Sequence, residues 1–333
     1  MMEFIPSICP GCCINCGLYI VRDEDGGIRI DYRKSSSVNE GKLCRFGVEL
    51  GDLYSQEPLK ATVNGKEVDF NTAKKEALKR LKKTDPRSTG FLAMGNSTNE
   101  EIRAFKKLAG ELKIQNIDCG LSKQILNVPE AARNYLTAGV PLREIEQAEK
   151  ILLISFNPEN YPLIIRRLLR AERNGAELLK VESGELYEEK GAIIVSELAP
   201  TSDPASIRQI IEEADDTVTI LFMKPYANLN GAVRLGFYGF DLIEAIRSDE
   251  IKSLFLLDPP PGYEDMFHDL ELLVVQSDHE SEVTGMADIT LPSPRFFERR
   301  GTVVNVEGDV LPVGGDSGAG VEISSKIIFP ENH

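Results

Sequence analysis

The chain has 333 residues and a formal net charge of −15 at pH 7. An apolar content of 42% with scattered charge argues against intrinsic disorder. The acidic balance argues against a nucleic-acid partner, which would need a basic face. No apolar run approaches the ~20 residues that span a bilayer. The first five residues, Met1 to Ile5, lack a basic segment followed by an apolar core, so a cytoplasmic protein without a secretory signal is predicted.

Cysteine is the most informative residue type in this sequence. Five of the six cysteines lie within the first 44 residues. In a reducing compartment, thiols clustered this densely indicate metal ligands more than disulfides. The spacing Cys9-x2-Cys12-x3-Cys16-x27-Cys44 predicts four thiolate ligands of one [4Fe–4S] cluster. Cys13 is interpreted as a small buried side chain beside that cluster.

Two other interpretations of the cysteines stay open. A four-thiolate zinc site usually takes two C-x2-4-C pairs, whereas the second half here has the single Cys44. Disulfides would need an oxidising compartment. A zinc-held scaffold without a redox role therefore remains an alternative function.

Secondary-structure signals follow in chain order. A β-hairpin is predicted between the third and fourth cysteine, with strands at residues 18–21 and 28–30, and Asn64-Gly65 predicts the turn of a second hairpin. Asn71 is the predicted N-cap of the next helix. Thr98 and Glu101 form a predicted capping box after a buried strand at residues 91–95. A second buried strand is predicted at residues 151–154, and further strands are predicted at residues 178–181, 193–195, 218–221, 254–257 and 272–275.

Apolar strands that alternate with helices predict an α/β fold with doubly wound parallel sheets. Ligands of such sheets bind beyond the carboxyl ends of the strands. The loops there contain neither a Walker A nor a G-x-G-x-x-G sequence, so no ordinary nucleotide fingerprint is present.

Several segments together resemble the molybdopterin oxidoreductase family, over roughly residues 5 to 310. The similarity begins with the cysteine segment and Leu43-Cys44-Arg45-Phe46-Gly47. It continues in segments that resemble the strand-to-helix loop, the G-x-N-P loop, the P-G-T-D stretch, and the A-D-x-x-L-P and E-x-x-G-T-x-x-N motifs of the family. These are residues 95–101, 154–158, 198–203, 287–292 and 298–305.

The resemblance implies a fold and a domain organisation. A small [4Fe–4S] cluster domain would cover residues 1–55, the first α/β domain residues 56–120 plus 235–333, and a second α/β domain, inserted in the first, residues 121–234. The short Cys44-x2-Gly47 ending is most similar to the molybdopterin subunit of formylmethanofuran dehydrogenase. As in that protein, the C-terminal barrel that caps the pterin is expected to be absent.

The resemblance also implies candidate site residues. Asn96, Asn157, Pro158 and Asp203 match loops that bind the pterin cofactor in the family. Cys119 follows the Asn-Ile-Asp segment and is a candidate ligand of Mo or W. It comes several residues earlier than the family's ligand, and Gly120 stands where a His follows in formate and formylmethanofuran oxidation. The pterin site is therefore interpreted as degenerate.

Two functional hypotheses follow from the resemblance. The first is an iron–sulfur electron-transfer subunit of a multisubunit oxidoreductase complex, a redox subunit that is not a complete enzyme. The second is the Mo/W-bis-pterin guanine dinucleotide catalytic subunit of a formylmethanofuran- or formate-type dehydrogenase, with its capping domain on another chain. Both hypotheses imply other redox subunits of iron–sulfur, flavin or hydrogenase type as partners. Neither a nucleic-acid partner nor a membrane-spanning segment is expected.

Overall fold

The structure, a computed structural model, describes residues 2–182, 191–214 and 217–314. The strands are β1 (Glu3–Ile8), β2 (Gly17–Arg22), β3 (Ile28–Tyr32), β4 (Thr62–Val63), β5 (Lys66–Glu67), β6 (Thr89–Ala93), β7 (Asn116–Asp118), β8 (Lys150–Ile154), β9 (Glu177–Lys180), β10 (Ile193–Glu197), β11 (Thr219–Met223), β12 (Ser253–Leu257), β13 (Leu272–Ser277), β14 (Ile289–Pro292), β15 (Thr302–Val304) and β16 (Val310–Pro312). The helices are α1 (Arg45–Tyr54), α2 (Phe70–Leu81), α3 (Asn99–Glu111), α4 (Ser122–Asn127), α5 (Leu142–Gln147), α6 (Pro162–Arg173), α7 (Pro204–Glu213), α8 (Leu229–Arg234), α9 (Leu242–Arg247) and α10 (Glu282–Met286). None of the helices in these described ranges is long and apolar enough to span a bilayer.

The N-terminal module is an antiparallel three-stranded sheet in the order β1-β2-β3, followed by α1. The predicted hairpin is the β2–β3 pair, in which Ile20 lies opposite Ile30. Its turn includes Gly26 at a φ of 87°, a left-handed conformation that glycine adopts without steric cost. The loop between β1 and β2 carries the first four cysteines, and Cys44 directly precedes α1.

Two further sheets confirm the predicted α/β fold class. A four-stranded sheet in the order β11-β10-β8-β9 is entirely parallel. A seven-stranded sheet has the order β5-β4-β14-β13-β12-β6-β7. Its strands are parallel except at one edge, where the hairpin β4–β5 joins β14 in antiparallel orientation. Asn64 and Gly65, at φ values of 49° and 72°, make the turn of that hairpin, as the sequence predicts.

The sheets draw on different parts of the chain. The seven-stranded sheet uses strands from residues 62–118 and 253–292, and the four-stranded sheet uses strands from residues 150–223. This arrangement is compatible with one α/β unit inserted in another. The exact boundaries at residues 55, 120 and 234 stay predictions, and residues 315–333 lie outside the described residues.

Local capping explains where two of the helices begin. Thr98 accepts from the backbone N–H of Glu101, and the Glu101 carboxylate accepts from the Thr98 N–H, so the predicted capping box of α3 is confirmed. The predicted N-cap of α2 is wrong. Asp69, not Asn71, caps that helix, because its carboxylate accepts from the backbone N–H of Thr72 at 3.0 Å and Asn71 lies inside the first turn.

An aromatic cluster packs α3 against the seven-stranded sheet. Phe105 of α3 lies 4.7 Å from Phe91 of β6 and 4.8 Å from Phe255 of β12, measured between ring centroids. All three side chains are fully buried. Burial of such rings supplies much of the stability of a core, and here it fixes the loop between β6 and α3 at the carboxyl edge of the sheet.

Candidate iron–sulfur site and neighbouring cavities

The first three predicted ligands lie in one loop that is closed by backbone hydrogen bonds. The N–H of Cys9 donates to the carbonyl of Cys16 at 2.9 Å, and the N–H of Asn15 donates to the carbonyl of Cys12 at 3.2 Å. Asn15 adopts a φ of 52°, a left-handed conformation that Asn tolerates better than most residues. The loop therefore brings cysteines seven positions apart in sequence to the same end of the β1–β2 pair.

The fourth predicted ligand, Cys44, is the N-cap residue of α1. Its side chain makes no capping hydrogen bond, so the thiol stays available beside the positive end of the helix dipole. A second helix, α6, begins at the same place, with Pro162 and Leu163 lining the space between the cysteines. Helix N-termini favour negative charge, so both helices lower the cost of gathering thiolates here.

Cys9, Cys12, Cys16 and Cys44 line a single cavity of about 220 Å³. Cys9 and Cys16 are buried, whereas Cys12 and Cys44 are partly exposed. The cavity is several times the roughly 30 Å³ that one water molecule takes in the liquid, so it has room for a group larger than one ion. In residues 2–182, 191–214 and 217–314, no three His, Cys, Asp and Glu side chains form a group suited to a single metal ion.

Burial in this cavity favours the protonated, neutral form of the cysteines. Burial raises the pKa of Cys9 to about 12 and raises the pKa values of Cys12 and Cys16 well above the usual range. The neighbouring thiols raise them further by mutual repulsion. Gly11 opposes this effect, because its N–H donates to the Cys9 sulfur at 3.5 Å. Cys9, Cys12 and Cys16 can all be thiolates in this cavity only around a positively charged centre, which deprotonates them on binding.

Asn39 connects the two ligand segments, a role that the sequence did not reveal. Its side-chain oxygen accepts from the N–H of Gly17 at 2.9 Å. Its amide nitrogen donates to the carbonyls of Gly17 at 3.1 Å and Lys42 at 2.7 Å. Gly17 follows Cys16 and Lys42 precedes Cys44 by two residues, so one buried amide fixes the distance between the third and fourth ligands.

Cys13 is fully buried, as expected, and it anchors the loop to the α/β part of the chain. Its N–H donates to the carbonyl of Lys224 at 3.1 Å, and its sulfur accepts from the Lys224 N–H at 3.1 Å. Its own carbonyl accepts from the N–H of Val306 at 2.7 Å. Burial raises the pKa of the Cys13 thiol to about 11, so it is neutral at physiological pH.

Cys119, the candidate ligand of Mo or W, lies in the apolar core. It is fully buried and belongs to the same apolar cluster as Leu121, Ile125 and Leu198. Burial raises its pKa, with a further contribution from Asp118. The pKa of Asp118 is itself raised to about 6 by burial, although its carboxylate accepts hydrogen bonds from Ser122, Gly120 and Leu242. Cys119 therefore lies in an environment that favours the thiol over the thiolate.

Two of the four predicted pterin-binding residues, Asn96 and Asp203, line different cavities. Asn96 lines a cavity of about 400 Å³ beside the carboxyl ends of β6, β12 and β13. Asp203 lines another, of about 240 Å³, with Ser155, which follows β8, and Glu197 of β10. Asn157 and Asp203 use their side chains as helix caps, accepting from Glu159 and from Ala205 and Ser206. Pro158 occupies the first position of the short 3-10 helix that Asn157 caps.

The larger cavity adjoins the cysteine cavity, because Gly11 and Phe46 line both. Arg299, which lines the larger cavity, and Arg295, which precedes the lining residue Phe296, are both already engaged. Arg299 is buried and binds Asp258 through two hydrogen bonds of 2.6 and 2.7 Å. Arg295 donates to the backbone carbonyls of Asp278 and Gln56. His279 also lines this cavity and forms a hydrogen bond with Asp278 at 2.6 Å.

Comparison with known proteins assigns the N-terminal module. Residues 2–54 match the family described as the molybdopterin oxidoreductase Fe4S4 domain. The resemblance to the molybdopterin oxidoreductases is confirmed. The predicted [4Fe–4S] cofactor is confirmed as the cofactor of this Fe4S4 domain, and its assignment to Cys9, Cys12, Cys16 and Cys44 stays a prediction.

Relatives of known function extend the similarity beyond the Fe4S4 domain. The F420-dependent formate dehydrogenase subunit alpha of Methanocaldococcus jannaschii is 30% identical over 223 residues, covering 63% of this chain and 33% of that protein. NADH-quinone oxidoreductase subunit 3 of Thermus thermophilus is 24% identical, covering 94% of this chain and 48% of that protein. The chain thus spans a third to a half of the length of these relatives, both of which are named as subunits.

Solved structures show the same fold at low sequence identity. Acetylene hydratase from Pelobacter acetylenicus aligns with a TM-score of 0.59 at 13% identity, covering 96% of this chain and 67% of that chain. A chain of the formyltransferase/hydrolase complex from Methylorubrum extorquens aligns with a TM-score of 0.54 at 15% identity, covering 77% of this chain and 93% of that chain. The fold predicted for the α/β part is thereby confirmed.

Proposed function

We propose that this chain is an iron–sulfur electron-transfer subunit of a multisubunit oxidoreductase complex. The observation that carries the proposal is the placement of Cys9, Cys12, Cys16 and Cys44 around one cavity within the Fe4S4 domain. A [4Fe–4S] cluster held by four cysteines accepts and releases single electrons. Fully buried Cys119, the candidate ligand for a catalytic metal, supports a relay in preference to a complete enzyme.

Residues around the cysteine cavity would position the ligands, stabilise their charge and leave one edge of the cluster accessible. Asn39 and the closed Cys9–Cys16 loop fix the ligand positions. The N–H of Gly11 and the N-termini of α1 and α6 stabilise negative charge on the sulfur atoms. Cys12 and Cys44 are the partly exposed ligands, so this edge is where a redox partner would approach.

A second candidate function is the Mo/W-bis-pterin catalytic subunit of a formate- or formylmethanofuran-type dehydrogenase. Two observations favour it: the similarity to a formate dehydrogenase subunit alpha, and the cavity of about 400 Å³ that contains Asn96 beside the cysteine cavity. The side chains near that cavity suit the cofactor poorly. Arg299 is committed to Asp258 and Arg295 to backbone carbonyls, so neither guanidinium is available for a pyrophosphate.

Metal and pterin analysis of anaerobically purified protein tests these alternatives. The relay predicts about four iron atoms per chain with neither Mo, W nor pterin. One Mo or W per chain with bound pterin would establish the second function instead. Stoichiometric zinc in place of iron would refute both and support the zinc-held scaffold. As a matched comparison, Cys119→Ala should leave the iron content unchanged if the chain is a relay, whereas it should abolish Mo or W binding if Cys119 is a ligand.

A further inference from the structure

Lys224 is a buried cation whose ammonium group has no carboxylate among its hydrogen-bond partners in the described part of the chain. The residue is 1% exposed. Its ammonium nitrogen donates to the carbonyl of Phe222 at 3.1 Å. Burial lowers its pKa to about 8, which still leaves it mostly protonated at neutral pH. Burial of an ammonium is strongly unfavourable unless negative charge compensates it, so this lysine needs an anionic neighbour.

The backbone places Lys224 against the loop that carries the predicted ligands. The N–H of Cys13 donates to the Lys224 carbonyl, and the Lys224 N–H donates to the Cys13 sulfur, both at 3.1 Å. The next residue, Pro225, forms an antiparallel bridge with Cys12. The loop held against Lys224 by these contacts also carries Cys12, so a bound cluster would bring anionic thiolates to the loop that the lysine contacts.

We infer that Lys224 supplies a buried positive charge that raises the reduction potential of the cluster held by the adjacent loop. This inference rests on the proposed electron-transfer function. Reduction adds one negative charge to the cluster, and a cation in a medium of low dielectric stabilises the more negative state. Lys224 contacts the cysteine loop at Cys13, on the side that faces the α/β part of the chain. Its charge can therefore affect the cluster while the partly exposed Cys44 stays accessible to a redox partner.

The test is the midpoint potential of the reconstituted cluster, measured by redox titration with detection by electron paramagnetic resonance. Lys224→Met removes the charge and keeps a side chain of similar length, and Lys224→Gln removes it with a polar group. Both should shift the potential to more negative values. Lys224→Arg retains the charge and should remain close to the wild type. Lys60→Met removes an exposed, surface-paired lysine and should leave the potential unchanged.

Two results of this experiment would overturn the inference. An unchanged potential in Lys224→Met with full iron content would show that the charge does not act on the cluster. Loss of the cluster in all three Lys224 variants, including Lys224→Arg, would assign the residue a structural role only. Wild-type protein that binds no iron would instead refute the proposed function itself, so the two failures are distinguishable.

Discussion

The side chain of Asn39 makes two hydrogen bonds to the backbone of Gly17, the residue directly after Cys16. The same amide donates to the carbonyl of Lys42, close to Cys44. Asn39 lies 22 positions after Gly17 in the sequence. Together these contacts connect the segments that carry the third and fourth predicted ligands. The Asn39 side chain therefore links the segment that follows Cys16 to the segment that precedes Cys44.

Replacing Asn39 with Ala should therefore weaken both the fold and the cluster. Two buried hydrogen bonds and one partly buried hydrogen bond are lost, and two backbone groups of Gly17 are left without their partner, at a cost of about 2–3 kcal/mol in the free energy of unfolding. Chemical denaturation and iron analysis measure the two effects. Asn71→Ala, at an exposed position of α2, is the control and should change neither. Wild-type iron content and stability in Asn39→Ala would contradict the bridging role.

The four predicted ligands should differ sharply from their neighbour Cys13. Cys16→Ala removes one of four thiolates and should abolish the iron-dependent visible absorbance and destabilise residues 1–55, a module with little core of its own. Cys13→Ala removes a buried thiol that bonds Lys224 and should retain iron, with a modest loss of stability. Absorbance and iron content per chain, compared between the two variants, decide this. If Cys13→Ala loses as much iron as Cys16→Ala, the ligand assignment is wrong.

Local patterns made part of this molecule predictable. The buried strands follow from short apolar runs such as the one that forms β12, and the start of α3 follows from Thr98 and Glu101, because these signals act within a few residues. The predicted N-cap of α2 is displaced by two residues because Asp69 and Asn71 are both good capping residues, and only the geometry of the Thr72 N–H separates them.

Long-range contacts cannot be predicted from the sequence in this way. The hydrogen bond between Lys224 and Cys13 joins residues 211 positions apart. No sequence motif beside either residue predicts that the two are in contact. The same holds for Arg299, whose partner Asp258 lies 41 positions away at the end of another strand. The cysteine spacing indicates the ligands, but the surroundings that set their charge and potential depend on how distant segments pack.

Arg299 should be among the most sensitive positions outside the cysteine site. Its guanidinium binds Asp258 through two hydrogen bonds and also contacts Glu101, and all three residues are buried. Arg299→Gln leaves two carboxylates without their cation and should cost about 3–5 kcal/mol in the free energy of unfolding. Arg87→Gln, which breaks an exposed pair with Asp85, should cost less than about 1 kcal/mol. Urea denaturation of the two variants checks the contrast, and similar costs would refute it.

Asp118 should make the stability of the protein depend on pH. Burial raises its pKa from 3.8 to about 6 in the folded state. Below about pH 3 the carboxyl is protonated in both folded and unfolded chains. As the pH rises from about 4 to 6, the unfolded chain loses this proton and the folded chain retains it, so the free energy of unfolding falls by about 3 kcal/mol at most.

Asp118→Asn should remove that contribution, because the amide does not titrate. The absolute stability of the variant also reflects the altered bond to the N–H of Leu242, so the informative quantity is the slope. We expect the difference in unfolding free energy, variant minus wild type, to increase between pH 4 and pH 6 and then to level off. Denaturation curves at four or more pH values measure it. Parallel pH profiles of variant and wild type would show that Asp118 ionises normally in the folded chain.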